Sequence, residues 1–155
     1  MATLIVFAAK YLFAVIALGM VGVGAGLRRE QRAAYLLTAV VAGLLAVVLT
    51  KTASALYFDP RPFTLGVPAL IPHDPDNGFP SDHVVLSVTA AFLALVGTRW
   101  IGLGLFFLAL IVGIARVLAG LHAPVDVVAG AVIGVIAALA GNWISHRLLQ
   151  RQESF

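Results

Sequence analysis

Residues 101–140 read IGLGLFFLALIVGIARVLAGLHAPVDVVAGAVIGVIAALA. Two apolar runs flank a short polar knot, in which Arg116 and Asp126 are the only formal charges of the stretch and His122 stands between them. A helix needs roughly 20 apolar residues to cross a hydrocarbon core, and a backbone in lipid must satisfy its own hydrogen bonds. The stretch therefore predicts two spanning helices joined by a tight turn, with Pro124 in the first turn of the second helix. Moving outward, hydropathy places spans near 4–26, 33–56, 82–98, 100–118 and 124–145. The expected fold class is all-α, a polytopic transmembrane helical bundle of about five spans carrying one proline-rich extracytoplasmic loop. A single domain is expected over 1–155, because the spans leave no room for a second.

Composition points the same way. The chain is 61% hydrophobic, only 11% charged, and has a mean hydropathy of +1.04, far from soluble domains. The first apolar stretch begins almost at Met1 and runs to about Gly26 without a small-residue cleavage site, so it reads as a span and not as a cleaved signal. Cysteine is absent, which excludes disulfides, thiolate metal sites and cysteine nucleophiles. The net charge of +3 is spread over short loops. It forms no basic blocks with interleaved aromatics, so no nucleic-acid partner is expected. The partners expected are the bilayer and a lipid substrate, with the oligomeric state left open.

Arg28, Arg29 and Arg32 fill the first connection, Arg99 the third, and Arg147 and Arg151 the tail. Five spans place all six on one side, which the positive-inside rule makes cytoplasmic. The opposite side receives the segment from Tyr57 to Pro80, the turn around His122 and the aspartates Asp59, Asp74, Asp76, Asp82 and Asp126. Six of the seven prolines lie in that segment, so it is a stiff, ordered loop, too long for mere connection. No internal repeat is visible. Gly130 and Gly134 read as a close helix contact in the last span.

Three short segments carry chemistry. In Asp-Pro-Arg-Pro-Phe (59–63), Arg61 is held between two prolines, and its planar fork can grip two phosphate oxygens or anchor to headgroups. Lys51, ten residues earlier, either reaches that site or snorkels to the interface. In Phe-Pro-Ser-Asp-His (79–83), Ser81 and Asp82 read as helix caps, and the same helix start offers free N–H groups and a positive dipole end to an anion. His83 adds a proton donor that titrates near neutrality. In the third segment, His122 stands just outside the last span and Asp126 within its first turn. The carboxylate can meet one ring nitrogen there, leaving the other unprotonated for nucleophilic attack, or it can simply complement the helix dipole. Arg116 ends the preceding span.

Taken together and in this order, the segments resemble the type 2 phosphatidic acid phosphatase superfamily, whose motifs read Lys…Arg-Pro, Pro-Ser-Gly-His and Ser-Arg…His…Asp. Within it, residues 57–63, Leu-Ile-Pro-His (70–73) and 79–83 are similar to the bacitracin-resistance type of undecaprenyl-diphosphate phosphatase, where aspartate also replaces the family glycine, as Asp82 does. The resemblance implies that His122 attacks phosphorus to give a phosphohistidine, that Asp126 orients it and that His83 protonates the leaving oxygen. Arg61, Arg116, Ser81, Asp82 and Lys51 would form the phosphate site, with no metal or other cofactor. The implied reaction cleaves undecaprenyl diphosphate to undecaprenyl phosphate and inorganic phosphate in a bacterial plasma membrane, recycling the cell-wall carrier lipid. Departures from the pattern are the ten-residue Lys51–Arg61 spacing, where seven is usual, Ala115 in place of serine, and five spans where six are frequent. Rival readings are another lipid phosphate (phosphatidylglycerophosphate, phosphatidic acid or lipid A), a small transporter or channel, and a metal hydrolase built on His73, Asp74, Asp76 and His122.

Overall fold

The computed structural model describes residues 1–152. Five helices run through them: α1 (Ala2–Gly26), α2 (Arg29–Leu56), α3 (Asp82–Gly97), α4 (Arg99–Leu118) and α5 (Pro124–Gln152), with a single 3₁₀ turn at Pro62–Leu65. The expected all-helical bundle is observed, and each helix boundary has a local cause. Leu27 is extended and stops α1. Arg32 then reaches back, Nη2 donating to the Ala25 carbonyl at 2.7 Å and Nε to Leu27 at 3.0 Å, so a cation closes the frayed carbonyl end. Thr98, extended, ends α3 and starts α4.

Four helices are long and apolar enough to cross a membrane; α3, with 16 residues, is shorter. At 1.5 Å per residue it spans about 24 Å, less than a full hydrocarbon core of about 30 Å. Its start explains this. The Ser81 N–H donates to the Asp126 carbonyl at 3.1 Å, so α3 and α5 begin at one level, beneath the long loop. The short helix is also the central one, packed against α1, α2, α4 and α5. Ile16, Val84, Val88, Leu105 and Val112 form the core between α1, α3 and α4. Leu18, Leu44, Phe107 and Ile136 face outward, as a lipid solvent requires.

Small residues set the closest crossings. A side chain on Gly130 would sit 2.9 Å from the Ser81 carbonyl, and one on Gly134 2.9 Å from that of Val85. The Gly130–Gly134 pair is thus used inside the chain, seating α5 on α3. On its other side α5 meets α2, where Gly141 lies against Ala42. The result is a bundle whose polar loops gather at one end and whose arginine-bearing turns gather at the other.

Candidate active site

The 57–81 loop is held by Asn77. Its amide nitrogen donates to the Ser54 and Tyr57 carbonyls and to Ser54 Oγ, while its oxygen accepts the N–H groups of Asp59 and Phe79. The two sides of the loop therefore close on each other, and the Gly78 N–H completes the closure on the Asp59 carbonyl at 2.8 Å. At the far end, the Leu70 N–H donates to Ala119. Gly120, at φ +71°, brings its backbone so near the Pro68 carbonyl that a Cβ would stand 2.6 Å from it. Glycine is required there for both reasons. The prolines stiffen this loop as expected, but it is the asparagine that pins it to α2.

Closure carries Arg61 inward to the turn between α4 and α5. Arg61 is 6% exposed, Arg116 4%, His122 3%, Asp126 1% and Ser81 0%. Arg116 Nη2 lies 2.9 Å and Arg61 Nη1 3.3 Å from His122 Nε2. A guanidinium can only donate, so Nε2 must present its lone pair and the ring proton must sit on Nδ1. Nδ1 then donates to the Gly78 carbonyl at 2.8 Å. Asp126 was expected to meet this nitrogen, yet its Oδ2 stands farther off, at 3.4 Å. The carboxylate's short bond is to the Ala123 N–H at 2.8 Å, so it caps α5 and faces the imidazole at once. Burial holds His122 below the ordinary histidine range, against the opposing pull of Asp126.

A cavity of about 360 Å³ opens in front of this imidazole. His122, Arg61, Arg116, His83, Lys51 and Asp82 all line it, with Thr50, Ser54, His73, Asp76, Asn77, Phe79 and Pro80. Lys51 reaches the wall despite its unusual spacing, because α2 continues past it to Leu56. His83 sits on the wall with its ring edge against Phe13 of α1, centroids 4.6 Å apart. Asp82 is exposed at the mouth. Its carboxylate can only accept, so its possible gift to an anion is the N–H it holds at the start of α3. Ser81 and Asp126 lie behind the wall, and Ser81 Oγ is buried without a hydrogen-bond partner.

Several contributors were not legible in the motifs. Gly78 supplies the carbonyl that fixes the His122 tautomer, and Ala9 of α1 supplies one behind Arg116 Nη1, at 3.3 Å. Asp76, read above as part of a possible metal set, instead pairs with Arg61 Nε while its side chain stays 60% exposed. Partial burial would raise the Asp76 carboxyl, but the Arg61 guanidinium overrides this and holds it low. His73 faces Asp76 at 3.9 Å. Among the described residues no three histidine, aspartate or glutamate side chains gather as metal ligands would. The one local signal was Asp-Asn-Gly (76–78), a turn sequence within a proline-rich loop.

Comparison with known proteins places this geometry. The chain is 37% identical over 144 residues to the protein named bacitracin transport permease protein BcrC of Bacillus licheniformis, covering 92% of this chain and 70% of that one. It is 36% identical over 107 residues to the undecaprenyl-diphosphatase BcrC of Bacillus subtilis (strain 168), covering 68% of this chain and 55% of that one. The crystal structure of Aquifex aeolicus LpxE superposes with a TM-score of 0.67 at 26% identity, over 90% of this chain and 92% of that one. The sequence pattern of the PAP2 superfamily matches residues 32–150, a stretch that holds every residue lining the cavity, and the chain belongs to that superfamily of membrane lipid phosphatases.

Proposed function

We propose that this chain hydrolyses undecaprenyl diphosphate to undecaprenyl phosphate and inorganic phosphate through a phosphohistidine on His122. The observation that carries the reading is the tautomer. With Nδ1–H bound to the Gly78 carbonyl, the Nε2 lone pair faces a cavity and is flanked by two guanidiniums. On substrate entry Arg61 and Arg116 turn from Nε2 to the equatorial oxygens of the terminal phosphoryl group, where the charge of the transition state develops. Nε2 attacks phosphorus, the bond to the bridging oxygen breaks, and protonated His83 gives its proton to that oxygen. In the second step His83 takes a proton from water, the water oxygen bonds to phosphorus, and the N–P bond breaks to release phosphate. Lys51 completes the phosphate site on the cavity wall, Ser81 Oγ, buried and unpartnered behind that wall, turns its hydroxyl toward the bound phosphate, and Asp126 steadies the imidazole. No metal is needed in this scheme.

The site is proposed to face the extracytoplasmic side of a bacterial plasma membrane, the six arginines named above marking the other side. Such placement suits recycling of a cell-wall carrier lipid. The relatives named for undecaprenyl diphosphate favour that substrate over phosphatidylglycerophosphate, phosphatidic acid or lipid A. A single assay separates the readings: phosphate release by purified protein in detergent from a panel of these lipids, with and without chelator. Fastest release from the polyprenyl diphosphate, unaffected by chelator, is expected. Faster turnover of phosphatidylglycerophosphate would overturn the substrate, chelator inhibition would overturn the metal-free mechanism, and lipid flux without phosphate release would point to a transporter.

A further inference from the structure

The cavity in front of His122 continues beyond its polar wall. A groove of about 180 Å³ adjoins it between α2 and α3, walled by Ala46 and Val47 on one side and Val85 and Leu86 on the other, and sharing Thr50, Lys51 and Asp82 with the cavity. Val47 is 54% and Leu86 47% exposed, so the groove is open to lipid. Its position follows from the two helices. On α2 the residues at 46, 47, 50, 51 and 54 lie on one face, and that face turns from apolar to polar between Val47 and Thr50. On α3 the change runs the other way along the chain, from Asp82 at the start to Val85 and Leu86 one turn later. A lipid whose phosphoryl end sits at His122 must pass its chain to the bilayer, and this groove gives that chain an apolar wall. Lys51 and Asp82 stand where the polar cavity becomes the apolar groove.

Arg61 and Arg116 flank His122 Nε2, so they meet the phosphoryl group under attack. His73, also on the wall, faces Asp76, the carboxylate that pairs with Arg61. A diphosphate carries a second phosphate on its chain side, and that phosphate falls at the junction. Asp82 repels it there, so a cation must hold it. Lys51 is exposed, and no ion pair of the described residues includes it. We propose that Lys51 holds the chain-side phosphate of a lipid diphosphate and so makes the site select diphosphates over monophosphates. The inference rests on the reading of His122 as the nucleophile and deepens it, because it defines the substrate class by its second phosphate.

The test is the binding of two non-hydrolysable ligands with the same prenyl chain, a methylenediphosphonate and a monophosphonate, to the full chain in detergent, read by isothermal titration. Wild type should bind the diphosphonate at least about tenfold more tightly. Lys51→Gln should weaken the diphosphonate by about tenfold, the worth of one charge-assisted contact, and the monophosphonate by less than about twofold. Lys51→Arg, which keeps a cation at the junction, should retain most of the preference. Equal losses for both ligands would put Lys51 at the attacked phosphoryl group, no loss for either would make it a headgroup anchor, and a wild type without preference would remove the second phosphate site; each result overturns the proposal. Neither ligand has a cleavable P–O–P bond, so the readout does not depend on turnover. A wild-type chain that released phosphate from no lipid would sink the phosphatase reading, while the two affinities would still decide the role of Lys51.

Discussion

Arginines at the two ends of this bundle live under opposite rules. Arg61 and Arg116 are almost wholly buried and hold backbone carbonyls and the His122 imidazole. At the other end Arg28, Arg29, Arg32 and Arg99 are exposed; Arg32 caps α1, and Arg99 and Arg147 lie over the rings of Trp100 and Trp143. A cation at headgroup depth keeps its water and costs little, so its position reports only orientation in the bilayer. A buried cation must have partners, and where those partners include a histidine lone pair on a cavity wall, its position reports chemistry.

The comparison breaks first at the nucleophile. His122→Ala is expected to lower phosphate release by about 10³-fold or more while the protein stays monodisperse and melts cooperatively in detergent; an active variant would end the phosphohistidine reading. Next comes the contrast between the ends themselves. Arg61→Lys and Arg116→Lys each replace a planar fork with a point charge and should cost about 10²-fold in kcat/KM. Arg28→Lys and Arg147→Lys should change it less than about twofold, and equal losses at both ends would erase the distinction drawn above.

The pH profile sharpens the same contrast. Burial lowers the His122 midpoint, so the neutral nucleophile persists as pH falls, and the acid limb of activity should lie below the ordinary histidine value of about 6.5. The sign for stability follows from the unfolded chain taking up His122's proton first. Stability should decline as pH falls below about 6.5, toward the lower folded midpoint, and His122→Gln should remove that decline from thermal melts. The smallest effect is expected at Asp76, whose exposed carboxylate competes with phosphate for Arg61 Nε. Asp76→Asn should lower KM by about two- to fivefold, the scale of a half-exposed ion pair, with kcat unchanged.

Much of this was legible in the linear chain. Each helix appeared as an apolar run, and Pro60, Pro62, Pro80 and Pro124 marked where runs had to stop. The turn-forming Asp-Asn-Gly at 76–78 was visible too, but not what it grips. Asn77 bonds Ser54, 23 residues away, and no periodicity announces such a pairing. Asp126 shows why motif spacing is an incomplete guide. Four residues from His122, it could meet one ring nitrogen, and its Oδ2 does stand 3.4 Å from Nδ1, yet the shorter contact, 2.8 Å, belongs to the Gly78 carbonyl, 44 residues distant in sequence.

What the sequence determined by itself is the membrane-spanning helical class, the place of each helix along the chain and the residue types of the site, because hydropathy, proline geometry and side-chain chemistry are local properties; α2 starts at Arg29 and α5 runs on to Gln152, beyond the apolar runs that marked them. Tertiary structure alone decided which histidine nitrogen carries the proton, which carbonyls stand behind Arg61 and Arg116, and that Asn77 pins the proline-rich loop to α2. Those depend on contacts such as Arg116 with Ala9, 107 residues apart, and only the packing of α1, α4, α5 and the proline-rich loop brings such groups within a hydrogen bond of each other.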